Sequence, residues 1–173
     1  IDIPESVKYI GSATFSECSS LTTVTIPKST EYIEIDTFYF CDSLISINVD
    51  PDNQKYCSKD GVWFDKAMTQ LMQYPANSSR SDYTIPDTIN TIAYRSFFNC
   101  KTLKNITIPK SVNSIGMFAF YDCTNLKNVY YKGSKADWEK INILDFNECL
   151  TNSTRYYNYD PNHKHSYTNR ITK

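Results

Sequence analysis

The sequence predicts an α/β solenoid, a right-handed superhelix of 23-residue repeats with a short parallel β-sheet on its concave face. Three observations lead to this prediction. Segments that open with Ile-Pro recur at an offset of 23 residues, the same residue types return at fixed positions inside them, and each unit ends in alternating apolar and polar residues. One unit cannot bury its own apolar side, so stacked units must cover each other.

The repeats are defined by columns of like residues. They open at Ile3, Ile26, Ile85 and Ile108, each followed by proline. Five later positions each keep one residue type in all four repeats. In chain order these are a hydroxyl, an isoleucine, a phenylalanine, a cysteine and a leucine: Ser6, Ser29, Thr88 and Ser111; Ile10, Ile33, Ile92 and Ile115; Phe15, Phe38, Phe97 and Phe120; Cys18, Cys41, Cys100 and Cys123; Leu21, Leu44, Leu103 and Leu126. We expect the apolar and cysteine columns to face inward and the hydroxyls to satisfy backbone groups of a turn.

Each unit ends in a short strand. Residues 21–26 have the L-x-x-L-x-L form of a leucine-rich repeat, in which Val24 and Ile26 point inward and the two threonines between them point outward. Pro27 ends the strand because it cannot donate a hydrogen bond to a ladder. Residues 33–38 are expected to return along the convex side as a short helix or 3₁₀ turn.

The third repeat, which starts near residue 49, carries an insertion. The interval from Ile26 to Ile85 holds 13 residues more than two repeats. In the inserted segment, assigned to residues 57–84, two apolar stretches flank a polar turn at residues 65–69. This pattern predicts a β-hairpin that covers an edge or the convex side. The hairpin could serve either to cap the repeats or to bind a ligand.

Residues 131–157 are predicted to cap the solenoid. Ser134 and Asp137 have the spacing of a capping box, which opens a short helix, and Trp138 and Ile141 would face the last repeat. A closing half repeat and strand follow at residues 147–157, and residues 158–173 form a linker or tail. The chain opens inside a repeat without an initiator Met, so we expect the native protein to be longer.

Residues 3–157 resemble the BspA-type leucine-rich repeat family of bacterial surface proteins. The family pattern is I-P-x-S-V-x-x-I-G-x-x-A-F-x-x-C-x-x-L-x-x-V-x, and residues 3–25 and 108–130 match it nearly throughout. The second repeat departs from it at Glu34 and Thr37. Members of the family also carry an insertion of the form D-G-V-x-F…L-x-x-Y-P and a similar C-terminal cap.

The resemblance implies a leucine-rich repeat domain over residues 1–157 that lies in the extracellular space or at the cell surface. It implies a non-catalytic module that binds a protein or glycan ligand and adheres to host or neighbouring cells. The alternative is a structural spacer that displays another domain of a larger surface protein. We expect a monomeric fragment of such a protein.

Composition and spacing exclude several other functions. The net charge of −1 argues against nucleic acid as a partner, and no apolar run is long enough to span a membrane. His163 and His165, in the predicted tail, are the chain's two histidines, and no C-x-x-C pair supports zinc binding. Residues 50–55 begin like a calcium loop but lack its glycine and its closing glutamate. We therefore expect no cofactor, no metal and no enzymatic activity.

The side-chain chemistry that remains is structural. We expect the cysteines to be buried free thiols, although a bridge between Cys57 and Cys149 is conceivable. Glu34 and Asp36 are close in sequence, but no cleft is predicted around them, as a pair of catalytic carboxylates would require.

The candidate binding site is the concave face, because solenoids use extended concave surfaces for binding. Tyr130 is expected to be its only aromatic anchor. The outward-facing residues predicted to form this face are Thr23, Thr25, Ser46, Asn48, Thr84, Asn105, Thr107, Asn128, Tyr130 and Lys132. The alternative is that threonine is found there for its strand propensity alone. A second candidate stripe on the convex side contains Tyr39 and Tyr121, for which packing is the alternative.

Overall fold

The computed structural model describes residues 1–162 and 170–171. The chain winds into six stacked coils, named here coil 1 (residues 3–25), coil 2 (26–48), coil 3 (49–84), coil 4 (85–107), coil 5 (108–130) and coil 6 (131–157). The elements are β1 (Tyr9–Ile10), β2 (Thr23–Ile26), β3 (Tyr32–Ile33), β4 (Ser46–Val49), β5 (Tyr56–Lys59), β6 (Val62–Asp65), β7 (Gln70–Gln73), β8 (Asp82–Thr84), β9 (Thr91–Ile92), β10 (Asn105–Ile108), β11 (Ser114–Ile115), β12 (Asn128–Tyr131), α1 (Lys135–Trp138), β13 (Asn142–Ile143), α2 (Glu148–Thr151), β14 (Thr154–Tyr156) and β15 (Arg170–Ile171).

Parallel pairing between coils builds the concave side, as the repeat predicts. β2 pairs with β4, and β8, β10, β12 and β14 form a second ladder in that order. Asn105 lies opposite Asn128 and Ile106 opposite Val129, so the 23-residue offset is the strand register. The inward residues of these strands, such as Val24 and Ile106, are fully buried.

The convex side contains a ladder of its own, followed by turns, where a short helix or 3₁₀ turn is expected at residues 33–38. Two-residue strands pair in parallel there: β1 pairs with β3, and β11 pairs with both β9 and β13. The corners that follow are turns in which residues such as Asp36 and Phe118 adopt left-handed φ angles near 60°. Within the residues that the structure describes, the helices are α1 and α2. At the other corners alternate N–H groups donate to a carbonyl of the next coil, which interrupts the pattern that a helix needs. Phe15 N, for example, lies 2.9 Å from Thr37 O.

The inserted segment contains the expected hairpin, and one of its strands lies on the convex side, one of the two places expected for it. β6 and β7 pair in antiparallel fashion, and β5 adds a third strand through a tight turn at Asp60 and Gly61, whose φ angles are 54° and 76°. β7 then continues the convex ladder by pairing with β9. The segment therefore does not cover an edge; it passes between coil 2 and coil 4.

β6 separates two hydrophobic clusters. Val62 and Phe64 belong to the cluster of coils 4–6, whereas Trp63 belongs to the cluster of coils 1 and 2. The Trp63 ring centroid lies 6.2 Å from that of Phe38 and 5.3 Å from that of Tyr56. A strand buried on both faces requires a continuous apolar run, and Val-Trp-Phe supplies it. The concave sheet is accordingly divided, with the Gly61 carbonyl accepting a hydrogen bond from the Ile47 N–H at 2.9 Å.

The aromatic column continues through coil 3 in altered form. Phe97 stacks on Phe120 with centroids 4.8 Å apart, and Tyr74 takes the corresponding place in coil 3, 5.1 Å from Phe97. Two residues separate Leu71 from Tyr74, whereas four separate Ile92 from Phe97. The corner of coil 3 is thus short, and the corners of coils 2 and 4 touch across it.

The C-terminal cap follows the prediction in its main features. Ser134 and Asp137 form the capping box of α1, and Trp138 is buried against Tyr131. In regular coils a corner N–H donates to a backbone carbonyl of the next coil. The Asn147 side chain replaces that carbonyl, because its Oδ1 accepts a hydrogen bond from the Phe120 N–H at 2.9 Å. Hydrogen-bonded structure continues beyond residue 157, since the Asn158 and Tyr159 N–H groups donate to carbonyls of coil 6. Among the described residues, no helix is long and apolar enough to cross a membrane.

Asn53 joins coil 2 to the inserted strands. It is 0 % exposed, and its Nδ2 donates to the carbonyls of Pro27 at 2.8 Å and Thr30 at 2.9 Å. Its Oδ1 accepts from the N–H groups of Lys55 and Tyr56, both at 2.8 Å. The amide therefore uses all four of its ordinary hydrogen bonds inside the protein.

We expect Asn53→Ala to lower the free energy of unfolding by at least about 3 kcal/mol, because several buried backbone groups lose their partner. Urea unfolding followed by circular dichroism measures the change. Asn113→Ala, at an exposed position in coil 5, is the matched control. A loss for Asn53→Ala no larger than that of the control would contradict this assignment.

Candidate binding face on the concave sheet

The sheet of coils 3–6 brings outward residues into two in-register rows. The row nearer the strand starts consists of Asp82, Asn105, Asn128 and Thr154, and the second row consists of Thr84, Thr107, Tyr130 and Tyr156. Neighbouring parallel strands lie about 4.8 Å apart, so residues in one row can contact each other directly. The face is therefore organised by register and not by the position of any loop.

Three residues of the first row form a directional chain of hydrogen bonds, here called the amide row. The Asn105 Nδ2 donates to the Asp82 Oδ1 at 2.6 Å, and the Asn128 Nδ2 donates to the Asn105 Oδ1 at 2.8 Å. The Ser81 hydroxyl also donates to Asp82. These bonds, that from Ser81 first, lower the pKa of Asp82 below its ordinary value by favouring the charged carboxylate. The row therefore ends in a negative charge on coil 3.

Tyr130 is not the only aromatic residue of the face, contrary to expectation. Its ring stacks on Tyr156 with centroids 5.0 Å apart and lies 4.7 Å from Tyr159. We call these three residues the tyrosine group. The 23-residue repeat does not predict the place of Tyr156, because the cap loop puts this residue 26 positions after Tyr130 instead of 23. Tyr159 lies in the segment predicted to be a tail, so nothing in the repeat pattern could indicate it.

Two other predicted face residues differ from the expectation of an open surface. Thr107 lies in the second row but is only 7 % exposed, since it stands between Thr84 and the much larger Tyr130. Lys132 lies just beyond β12, and its Nζ forms an ion pair with the Asp87 Oδ1 at 2.6 Å. Thr107 is therefore a packing residue, and Lys132 is held at the edge of the face.

The remaining predicted residues lie on the separate sheet of coils 1 and 2. Thr23 is opposite Ser46 and Thr25 is opposite Asn48, and all four are half-buried. The Ser46 Oγ donates to the Asn48 Oδ1 at 2.8 Å. The tip of the inserted hairpin lies beside this sheet, where a Cβ added at Gly61 would come within 2.7 Å of the Ser46 Oγ. The ten predicted residues thus form two surfaces rather than one.

The cysteine column has a packing role. All six cysteines are free, so the conceivable bridge between Cys57 and Cys149 is absent. Burial raises the pKa of Cys41 to about 11, and its Sγ donates to the Phe15 carbonyl of the preceding coil at 3.0 Å. Cys18 is exposed, contrary to expectation, whereas the other three cysteines of the column are buried.

Other polar candidates are engaged in structural contacts. The Ser29 and Ser111 hydroxyls donate to carbonyls of the preceding coil at 3.1 and 2.6 Å. Glu34 accepts hydrogen bonds from the Tyr9 hydroxyl and the Ser12 N–H, and Asp36 pairs with an arginine of coil 4. Within residues 1–162 and 170–171 no group of His, Cys, Asp or Glu could hold a metal ion. His163 and His165 lie outside the described residues.

Comparison with protein-family models identifies the BspA type Leucine rich repeat region in six copies, over residues 1–60 and 74–162. No curated protein matches the chain. Among solved structures, a leucine-rich repeat protein from Eubacterium ventriosum is 29 % identical with a TM-score of 0.64, over 76 % of this chain and 41 % of that one. The pneumococcal vaccine antigen PcpA is 28 % identical with a TM-score of 0.65, over 75 % of this chain and 38 % of that one.

A leucine-rich cell surface protein from Faecalibacterium prausnitzii shares the fold at 20 % identity, with a TM-score of 0.60 over 82 % of this chain and 62 % of that one. The first two structures are the more similar in sequence, and this chain spans about two fifths of their length.

We expect Asn105→Ala to raise the pKa of Asp82, because the carboxylate loses the hydrogen bond from the Asn105 amide. Carbon-13 NMR titration of the side-chain carboxyl measures it. Since the folded pKa is lowered, ionised Asp82 stabilises the fold above pH of about 4, and this stabilisation is lost as the pH falls through the folded pKa. The pKa of Asp137, about 2 in the distant capping box, should not move. An unchanged Asp82 pKa would contradict the amide row.

Proposed function

The chain belongs to the BspA-type leucine-rich repeat family, and on that premise we propose that it is a non-catalytic interaction module that binds a protein or glycan through its concave face. The binding surface is the sheet of coils 3–6, formed by β8, β10, β12 and β14. The proposal rests on one observation: the amide row and the stacked rings of Tyr130 and Tyr156 lie side by side on one in-register sheet.

The amide row supports recognition of polar ligands. Its amides are held in one orientation by hydrogen bonds to each other, so a ligand meets groups that need little reordering. Preorganised groups lower the entropy cost of binding. Asn128, the last amide of the row, lies beside Tyr130 on the same strand.

The tyrosine group supplies the apolar part of the surface. Tyrosine is enriched at the energetic centres of interfaces because it combines a large ring with a polar tip. Tyr130 and Tyr156 are both half-buried, which fixes the rings while part of each remains at the surface. The sheet of coils 1 and 2 carries no aromatic residue at its outward strand positions, so we assign it a secondary role.

The similar structures also support a proposal for the location of the protein. One similar structure is titled as a cell surface protein and another as a vaccine antigen. We propose by analogy that this chain is part of a secreted or cell-surface bacterial protein and acts in adhesion to host or neighbouring cells. The domain bounds of residues 1–157, with a linker at residues 158–173, and the monomeric state remain predictions.

A structural spacer is the second candidate. It is favoured by the observation that several polar groups of the concave face have partners within the chain, including the amide row and the pair of Lys132 and Asp87. A spacer needs a folded solenoid but no exposed recognition residues. The two functions differ in whether the isolated protein binds anything.

We expect saturable binding to one member of a panel of mucin, fibronectin, glycans and cell-wall polymers in a solid-phase assay. Tyr130→Ala and Asn105→Ala should each weaken it by about tenfold or more, because hot-spot residues contribute at this level.

Tyr32→Ala and Asn113→Ala change the same residue types at exposed positions away from this face and should leave binding unaltered. Binding that survives both face substitutions would overturn the concave site. A folded protein that binds no panel member would favour the spacer.

A further inference from the structure

The outer corner of the solenoid carries a row of aromatic rings that the concave-face proposal does not use. Phe40, Phe98, Tyr121, Phe118 and Phe146 follow each other with centroid separations of 5.3, 5.5, 5.6 and 4.4 Å. We call these five residues the corner row. It crosses coils 2, 4, 5 and 6, so it is a continuous feature of the surface.

Burial does not account for the whole corner row. Phe40, Tyr121 and Phe146 are 39, 43 and 46 % exposed. Phe40, Phe118 and Phe146 also have φ angles of 53°, 58° and 64°, in the left-handed region that bulky residues avoid. Local backbone preference would place Asn, Asp or Gly there, as Asn99 and Asp122 illustrate at equivalent corners. Exposed aromatic residues in a contiguous patch mark an interaction surface.

The protein itself contains one example of the ligand chemistry that this corner accepts. The Arg95 guanidinium lies 4.0 Å from the Tyr39 ring centroid, 5.6 Å from that of Phe98 and 5.3 Å from that of Phe118. Its Nη1 pairs with the Asp36 Oδ1 at 2.7 Å. A guanidinium between aromatic faces and beside a carboxylate gains both cation–π and ion-pair energy.

At its C-terminal end the corner row also combines an aromatic ring with carboxylates, as around Arg95. Phe146 lines a shallow depression of about 410 Å³ together with Asp145 and Glu148. One face of the Phe146 ring is covered by Phe118 in a parallel stack, so the opposite face points away from coil 5. Neither Asp145 nor Glu148 forms an ion pair within the part of the chain that the structure describes.

We propose that this depression binds an arginine-bearing basic segment of a partner protein. The guanidinium lies over the outer face of Phe146, and its N–H groups donate to the carboxylates of Asp145 and Glu148. Arginine fits better than lysine because its planar, weakly hydrated head stacks on rings and pairs with carboxylates at the same time. The site is separate from the concave face and does not depend on the function proposed for that face.

The test is a fluorescence-anisotropy titration of the whole chain with labelled hexa-arginine and hexa-lysine peptides at low and physiological salt. We expect saturable binding of hexa-arginine that weakens as salt rises, with hexa-lysine weaker by about two- to fivefold. Phe146→Leu keeps an apolar side chain but removes the ring, and should bring hexa-arginine binding down by a similar factor. Asp145→Asn with Glu148→Gln should weaken both peptides.

Matched controls separate this site from general attraction of a basic peptide. Tyr32→Leu changes an exposed ring in coil 2, and Glu5→Gln with Asp52→Asn removes two exposed carboxylates from coils 1 and 3, away from coil 6. Both controls should bind as the unaltered protein does. Equal losses in the control and the site variants, no preference for hexa-arginine, or no saturable binding would each overturn the proposal. Loss of concave-face binding through Tyr130→Ala would leave this result unchanged.

Discussion

In-register stacking of the coils is the constraint on which the rest of the structure depends. A backbone N–H at the corner of one coil donates to a carbonyl of the next, and the strands on both sides pair at the 23-residue offset. The same register that buries Ile106 against Val129 places Asn105 beside Asn128 on the outer side. The amide row is therefore a product of the repeat, because identical positions on successive coils must be neighbours.

The inserted segment changes this regular arrangement without ending it. β6 takes the place of a regular coil, and its successive side chains point into different hydrophobic clusters. Trp63 packs in the cluster of coils 1 and 2, and Phe64 packs in the cluster of coils 4–6. The corner of coil 3 is shortened, so Arg95 and Asn99 reach directly to Asp36 and Asp42 of coil 2. The functional consequence is that the concave surface is divided, and the sheet of coils 3–6 forms the larger face.

The repeat columns were sufficient to predict the concave strands, their register and most inward residues, because each depends on the same stacking. The sequence could not predict the convex strands, since each is two residues long and is too short to show an alternating pattern. Thr107 is covered by its neighbour's large side chain, which strand alternation does not describe. Tyr156 and Tyr159 belong to the irregular cap, so their place beside Tyr130 depends on a loop length that no repeat specifies.

The most direct test of this account is native-state hydrogen exchange on the unaltered protein and on Trp63→Ala. If β6 separates two hydrophobic clusters, removing the Trp63 ring empties space in the cluster of coils 1 and 2, beside Phe38 and Tyr56. The account predicts that amides of β2 and β4 lose protection, whereas those of β10 and β12 keep most of theirs. An equal loss of protection in both sheets would show one undivided core and would contradict it.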